Sequence, residues 1–263
     1  LSETRSILVV TSFNQDGLEK YAHRCLETFR NWPVNARLVV YAEDCKPEVS
    51  EMVEVRDLHK CCPDLVEFKE RYKNLAPPDW RWNVVKFSNK VFAAVHALKD
   101  HEDVGVWLDA DCVTYCPIPN GLIESLFDEG RYLAFYKRPN FYTETGFWAV
   151  DGSSQWHKPF LSAFKACYTD GTIFEQSEWH DCMAFDYARK RLEAKGMPCH
   201  NLTPKEYPQL HPMSVSLLSP FIDHCKGNRK TLGYSPEYRR HTNAMEVIEK
   251  KAQERAKRAW TRN

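Results

Sequence analysis

Two aspartates, one residue apart, close an apolar run in the stretch Val106-Trp107-Leu108-Asp109-Ala110-Asp111-Cys112. Alternate residues of an extended segment point the same way, so both carboxylates can reach one point. Paired hard oxygen ligands suit Mn²⁺ or Mg²⁺, ions that also take oxygens from a diphosphate. Carboxylates at the end of a buried strand are costly unless they are paired or bound to a metal. A D-x-D step alone is also a common polar turn, so the rest of the chain must decide. A second stretch, His224-Cys225-Lys226-Gly227-Asn228-Arg229-Lys230, carries the spacing H-x-x-G-x-x-K. An imidazole can complete an octahedral set begun by two carboxylates, and it favours Mn²⁺ over Mg²⁺. Gly227 would let backbone approach a phosphate closely, and Lys230 would bring a point charge to it. The competing reading is a basic surface loop with an incidental histidine.

The elements that must position these groups follow from hydrophobic periodicity. Residues 6–14 read as a buried strand, 17–32 as an amphipathic helix and 36–44 as a second buried strand, a βαβ unit that implies a parallel sheet. Residues 46–82 read as irregular, with Cys61-Cys62-Pro63 and Pro77-Pro78 as breakers. Further helices are expected over 84–100, 154–170 and 178–196, and further strands over 103–112, 131–138 and 145–151. In open parallel sheets ligands bind beyond the carboxyl ends of the strands. Three such ends are polar here: Thr11-Ser12-Phe13-Asn14, Glu43-Asp44 and Asp109-Ala110-Asp111. A nucleotide would sit where they converge. The fold class is therefore α/β, with a mostly parallel central sheet flanked by helices. The chain divides into one domain over 1–235 and a basic helical extension over 236–263.

Charge is balanced overall, at +0, but unevenly placed. From Lys226 to Asn263 there are 11 basic residues against 4 acidic ones, which leaves the remainder of the chain equally acidic. That asymmetry suits an anionic partner for the C-terminal segment, either a membrane surface bearing a glycolipid or DNA. The 10 cysteines include no C-x-x-C pair, so reduced thiols in a cytoplasmic setting fit better than zinc or a disulfide scaffold. No apolar run reaches the ~18 residues a membrane span needs, and the opening residues, which enter a strand-like run almost at once, are not expected to be a signal peptide. The expected location is cytoplasmic, with peripheral membrane contact through the basic segment.

Asp109-Ala110-Asp111 after Val-Trp-Leu, followed about 110 residues later by H-x-x-G-x-x-K, resembles glycosyltransferase family 8, the glycogenin and lipooligosaccharide galactosyltransferase type. The resemblance runs from about residue 6 to 233. It implies a GT-A fold, a UDP-sugar donor, Mn²⁺ and retention of anomeric configuration. Asp109, Asp111 and His224 would then be metal ligands, and Gly227 and Lys230 would touch the diphosphate. Thr11, Ser12 and Asn14 would lie near the uridine. Lys86 and Lys90 are the candidates for the basic residue that the family places before D-x-D. Asp181 or Glu144 would stabilise the sugar face or hold its hydroxyls, the first as counterpart of the family's D-Q-D loop. Three rivals remain. A sugar-nucleotide nucleotidyltransferase should show a glycine-rich loop after the first strand, and Thr11–Gly17 has one glycine. A non-catalytic nucleotide- or glycan-binding module would not need intact metal ligands. A metal-dependent nuclease would need more clustered acids.

Overall fold

The structure, a computed structural model, describes residues 5–205 and 210–235. The basic helix expected over 236–263 lies outside the described residues.

Among the described residues, nine strands and eight α-helices follow one another, with short 3₁₀ and π turns between. They are β1 (Ile7–Phe13), α1 (Gln15–Gly17), α2 (His23–Thr28), β2 (Ala36–Ala42), β3 (Val53–Asp57), α3 (Leu58–Cys61), α4 (Pro63–Tyr72), α5 (Val84–Leu98), β4 (Val104–Leu108), β5 (Cys112–Thr114), β6 (Leu133–Tyr136), β7 (Glu144–Asp151), α6 (His157–Thr169), α7 (Asp181–Glu193), β8 (Cys199–Asn201), β9 (Ile222–His224) and α8 (Arg229–Leu232). Seven strands form one sheet in the order β3-β2-β1-β4-β7-β6-β8. The β3-β2-β1-β4 part is parallel, β7 runs antiparallel to both its neighbours, and β8 is parallel to β6. β5 and β9 pair apart as a two-stranded ladder.

Strands buried on both faces read as continuous apolar runs because helices cover each side. Successive residues therefore serve opposite cores: Val9 packs with Phe29 and Trp32 on one face, Val10 with Phe92 and Leu98 on the other. Trp107 and Trp148 are register partners across β4 and β7. Trp148 meets Phe160, Phe164 and Phe185 of α6 and α7 at centroid distances of 5.6–6.2 Å.

Several sequence expectations need correction. Residues 46–82 are not irregular: β3, α3 and α4 fill much of them. β3 is an exposed edge strand with a mixed burial pattern, so its periodicity is weak. The helix read over 17–32 is broken, because a π turn at Leu18–Ala22 interrupts it and a 3₁₀ turn ends it at Asn31. The strand read over 103–112 stops at Leu108. Asp109 to Asp111 turn, with the Cys112 amide donating to the Asp109 carbonyl at 2.9 Å, and Cys112 opens β5 instead. The antiparallel insertion of β7 was not expected either, and it decides what stands beside the acids.

Candidate active site

Three backbone features converge where β1, β2 and β4 end. β5 and β9 pair with Cys112 opposite His224, which sets the imidazole beside Asp111. β7 begins where β4 ends, since Leu108 pairs with Phe147 and the Asp109 amide donates to the Gly146 carbonyl at 2.8 Å. Glu144 and Thr145 are thus brought to the same edge. α8 follows Gly227, whose φ of +63° belongs to the left-handed region that glycine adopts without cost.

The acids are shared among fixed cations. His224 Nε2 lies 3.0 Å from Asp111 Oδ1 and 3.8 Å from Asp109 Oδ2. Lys230 Nζ stands 3.0 Å from Asp111 Oδ2 and over the Tyr21 ring at 4.2 Å. Lys90 Nζ, nearly buried, donates to Asp109 Oδ1 at 2.7 Å and to the Thr145 carbonyl at 2.7 Å. It also pairs with Asp181 Oδ2 at 2.9 Å. Trp107 Nε1 donates to the same Asp109 oxygen at 2.6 Å. Each lysine therefore takes one oxygen of its aspartate, while Asp109 Oδ2 and Asp111 Oδ1 are the oxygens nearest the imidazole.

Glu144 lies on the far side of the His224 ring. It is 1% exposed, and Oε1 stands 3.4 Å from His224 Nδ1, close enough to pair charges but out of hydrogen-bond alignment. Its other oxygen meets His211 at 3.1 Å, Arg138 at 3.2 Å and Lys226 at 3.3 Å. A Cβ at Gly146 would fall 2.5 Å from the His224 ring, so only glycine lets the imidazole lie there.

Electrostatics follow from burial set against pairing. Burial alone would push the Asp111 carboxyl up, but His224 and Lys230 hold it well below the usual carboxylate range. Burial opposes charge on Glu144 too, and His211, His224 and Lys226 overcome it. For Asp181 the Lys90 ammonium does the same. Burial would lower Lys90, yet Asp109 and Asp181 hold it above the usual lysine value. His224 behaves likewise: burial lowers it, and Asp111 and Glu144 raise it to about 10. A protonated imidazole thus occupies a place that selects a cation.

The donor set fits a divalent ion of oxygen and nitrogen preference. Ligands ~2.1 Å from an octahedral ion are ~3 Å apart when adjacent; the 3.0 Å between His224 Nε2 and Asp111 Oδ1 matches that spacing, whereas Asp109, at 3.8 Å from the same nitrogen, would have to move closer to join the set. Around His224, the ligand atoms that lie within 4.8 Å of one another are those of Asp111, Cys112 and His224, and those of Glu144, His211 and His224, with Asp109 outside both groups. Cys112 Sγ faces the Gly146 carbonyl, and its thiol is pushed well up by burial, so the oxygen-rich set suits a hard ion better.

The other expected residues are placed as follows. Asn14 caps α1, its Oδ1 accepting from the Gly17 amide at 2.8 Å. Thr11 is fully buried with its hydroxyl unpartnered, and Ser12 is half-buried beside it in β1. Lys86 is exposed, one turn from Lys90 and apart from the acids. A hollow of about 630 Å³ lined by Leu18, His23, Arg30 and Val49 contains none of the site residues, so chemistry rather than volume marks the site. Sequence reasoning missed His211, Arg138 and Lys226 as partners of Glu144, and Gly146 as the gap for His224. Only Gly146 left a signal, a lone glycine inside an apolar strand.

Neither a protein-family profile nor a curated protein sequence matches the chain. Its fold is nevertheless shared with a solved glycosyltransferase. Mouse xyloside xylosyltransferase 1, in its apo form, superposes with a TM-score of 0.52 at 13% identity, over 86% of this chain and 99% of that one. The bifunctional glycosyltransferase WbbM gives 0.46 at 11% identity, over 84% of this chain and 51% of its own length. The fold expected from the sequence, a GT-A-like α/β architecture with a mostly parallel sheet between helices, is therefore the fold found.

Proposed function

We propose that the chain is a metal-dependent glycosyltransferase that moves a sugar from a nucleotide-sugar, UDP-linked in the family 8 manner, to a hydroxyl acceptor. One observation carries this: two carboxylates and an imidazole converge with two lysines at the strand ends of a fold shared with a glycosyltransferase. Asp109, Asp111 and His224 would hold Mn²⁺ or Mg²⁺, which when bound neutralises charge on the diphosphate leaving group. Lys230 faces the same phosphates, and Gly227 leaves open space for them. Thr11, Ser12 and Asn14 lie at the end of β1, where the nucleoside would rest. Asp181 and Thr145 hold Lys90 independently of Asp109, so the ammonium would keep its place with an ion on Asp109. Asp181 then acts through Lys90 toward the sugar, and Glu144 acts through His224. In the transfer the C1–oxygen bond to the diphosphate breaks, the acceptor oxygen bonds to C1, and the acceptor proton passes to the leaving diphosphate. Attack on the face the diphosphate vacates keeps the configuration.

The acceptor classes compatible with the basic 236–263 segment are a glycan, a lipid-linked glycan and a hydroxymethylated DNA base. No helix among the described residues is long and apolar enough to cross a membrane. A cytoplasmic site of action is part of this proposal. Calorimetric titration with UDP, GDP, CDP and TDP, with and without Mn²⁺, tests the donor site. Metal-dependent binding of UDP, abolished by Asp111→Asn, is expected. A folded protein that binds none of the four would overturn the assignment and leave Asp109–Asp111 a polar turn.

A further inference from the structure

An exposed aromatic surface adjoins this site, on the side of Asp181. Trp80 opens a one-turn 3₁₀ segment, Trp80–Trp82, just before α5. That turn is pinned, because the Trp179 amide donates to the Arg81 carbonyl at 2.9 Å. Trp80 remains 65% exposed although one face stacks on His180, at a centroid distance of 6.0 Å and 25° between planes. Phe87 and Tyr142 meet His180 edge-on at 5.8 and 5.0 Å, which seals that imidazole and fixes the tryptophan above it. His180 caps α7 and directly precedes Asp181, the acid bound to Lys90. The outer face of Trp80 is thus a rigid apolar plate at the border of the candidate site.

Its rim is charged. Arg81 pairs with Asp79 at 2.7 Å and with Glu178 at 3.4 Å, and all three side chains remain partly open to solvent. A pyranose ring has one apolar face of C–H bonds and an edge of hydroxyls that both donate and accept. An aromatic plate answers the first, and a guanidinium beside carboxylates answers the second. The two acids against one base disfavour a phosphate-bearing ligand at this spot. The geometry points to a binding subsite for a neutral pyranoside unit of a glycan acceptor, with Trp80 as its platform. This rests on the glycosyl-transfer reading of the adjoining site.

The probes are methyl β-glucopyranoside, methyl β-galactopyranoside and methyl β-xylopyranoside at millimolar concentration, observed by saturation-transfer NMR. At least one should receive saturation at its ring C–H protons. That transfer should fall about fivefold or more in Trp80→Ala and be largely kept in Trp80→Phe, since stacking needs a ring rather than an indole. Mn²⁺–UDP titrations of both variants should match the wild type. Equal transfer to Trp80→Ala would overturn the subsite. So would no transfer from any of the three, or a Trp80-dependent dimer in sedimentation, which would give the plate to a second copy of the chain. Glycoside binding through Trp80 without nucleotide binding by the wild type would instead sink the donor-site reading and leave a glycan-binding surface. The two failures are therefore distinguishable.

Discussion

β4 carries acids at both of its ends, and the two ends use them differently. At the start, Asp103 and Asp151 gather around Arg5, and Ser6 donates to Asp103 at 2.7 Å. These groups are partly exposed, and Asp103 is held low chiefly by the Ser6 hydrogen bond. At the finish, Asp109 and Asp111 meet two lysines and a histidine; Asp111, Lys90 and His224 are nearly buried there, while Asp109 and Lys230 stay partly open. Histidines divide the same way. His101 and His157, near the start, are pushed down by burial, and each faces a backbone carbonyl. His224, at the finish, is pushed up to about 10. Acids by themselves thus mark nothing. What separates a staple from a site is convergence: at the finish, carboxylate oxygens of two residues approach one nitrogen, and the lysines hold their other oxygens.

The largest expected contrast comes from deleting one cation at each end. Lys90→Met leaves Asp109 and Asp181 without their shared ammonium, and breaking such a buried pairing costs about 3–5 kcal/mol. Arg5→Ala removes a half-exposed partner and should cost about 1 kcal/mol or less. Urea melts of the two variants check this, and equal shifts of midpoint would erase the distinction between the ends.

Next in size is the response of the metal-free protein to pH. An imidazole raised to about 10 when folded, against about 6.5 unfolded, contributes its full stability below about pH 6.5. That contribution is lost as pH rises toward 10. His101 and His157 are depressed, so their effect has the opposite sign: they cost stability as pH falls below about 6.5. Stability measured at pH 7 and 9.5 should fall more in the wild type than in His224→Gln. Imidazole C–H shifts at pH 7.5 should show His224 charged and the other two neutral. An unprotonated His224 in metal-free protein would contradict the charge balance described for the site.

Gly146 within β7 and Gly152 just after it stand at the two ends, and alanine at either meets something different. At Gly152 the new Cβ would run into the His101 carbonyl oxygen, a backbone atom that cannot step aside. Gly152→Ala should lower stability by about 1–3 kcal/mol and leave Mn²⁺ affinity alone. At Gly146 the obstacle is the His224 ring, so Gly146→Ala should tilt the imidazole and weaken Mn²⁺ binding about tenfold. Manganese titration followed by electron paramagnetic resonance separates the two outcomes, and an unchanged affinity in Gly146→Ala would show that the ring position is not required. Glu144→Gln probes the other side of that ring. Loss of the charge facing Nδ1 should also cost about tenfold in Mn²⁺ affinity, and normal affinity would reduce Glu144 to a partner for Arg138 and Lys226.

The halves of this comparison were unequally legible in the sequence. Buried parallel strands announce themselves as apolar runs, so β1, β2 and β4 could be read with their polar tips, and those tips place the site. Asp109, Asp111, His224 and Lys230 could be named together from a D-x-D step, an H-x-x-G-x-x-K stretch and the family the two resemble, and the structure brings the four side chains together. Glu144 was singled out, but for the sugar face, and its burial behind His224 depends on the antiparallel course of β7, which no local pattern encodes. His211, Arg138 and Lys226 come from three separate loops and have no shared spacing. Trp80 lay within a stretch read as irregular, and its role depends on His180, a hundred residues away in the chain.

The smallest expected effect tests where sequence could offer only a pair. Lys86 and Lys90 are four residues apart on α5, so both project from nearly one face, and either could have met the acids. The helix settles the choice through depth. Lys90 lies a turn further along, against β4 and β7, where it reaches Asp109, Asp181 and Thr145 at 2.7–2.9 Å. Lys86 stands in the first turn, where its amide is capped by Asn83 and its side chain enters solvent. Lys86→Ala should therefore change stability by no more than about 0.5 kcal/mol and leave Mn²⁺ and UDP affinity unchanged. A loss of UDP affinity in Lys86→Ala, at unchanged Mn²⁺ affinity, would mean that this exposed lysine swings onto the diphosphate once a nucleotide is bound. The cationic side of the site would then extend along α5 beyond the buried pair.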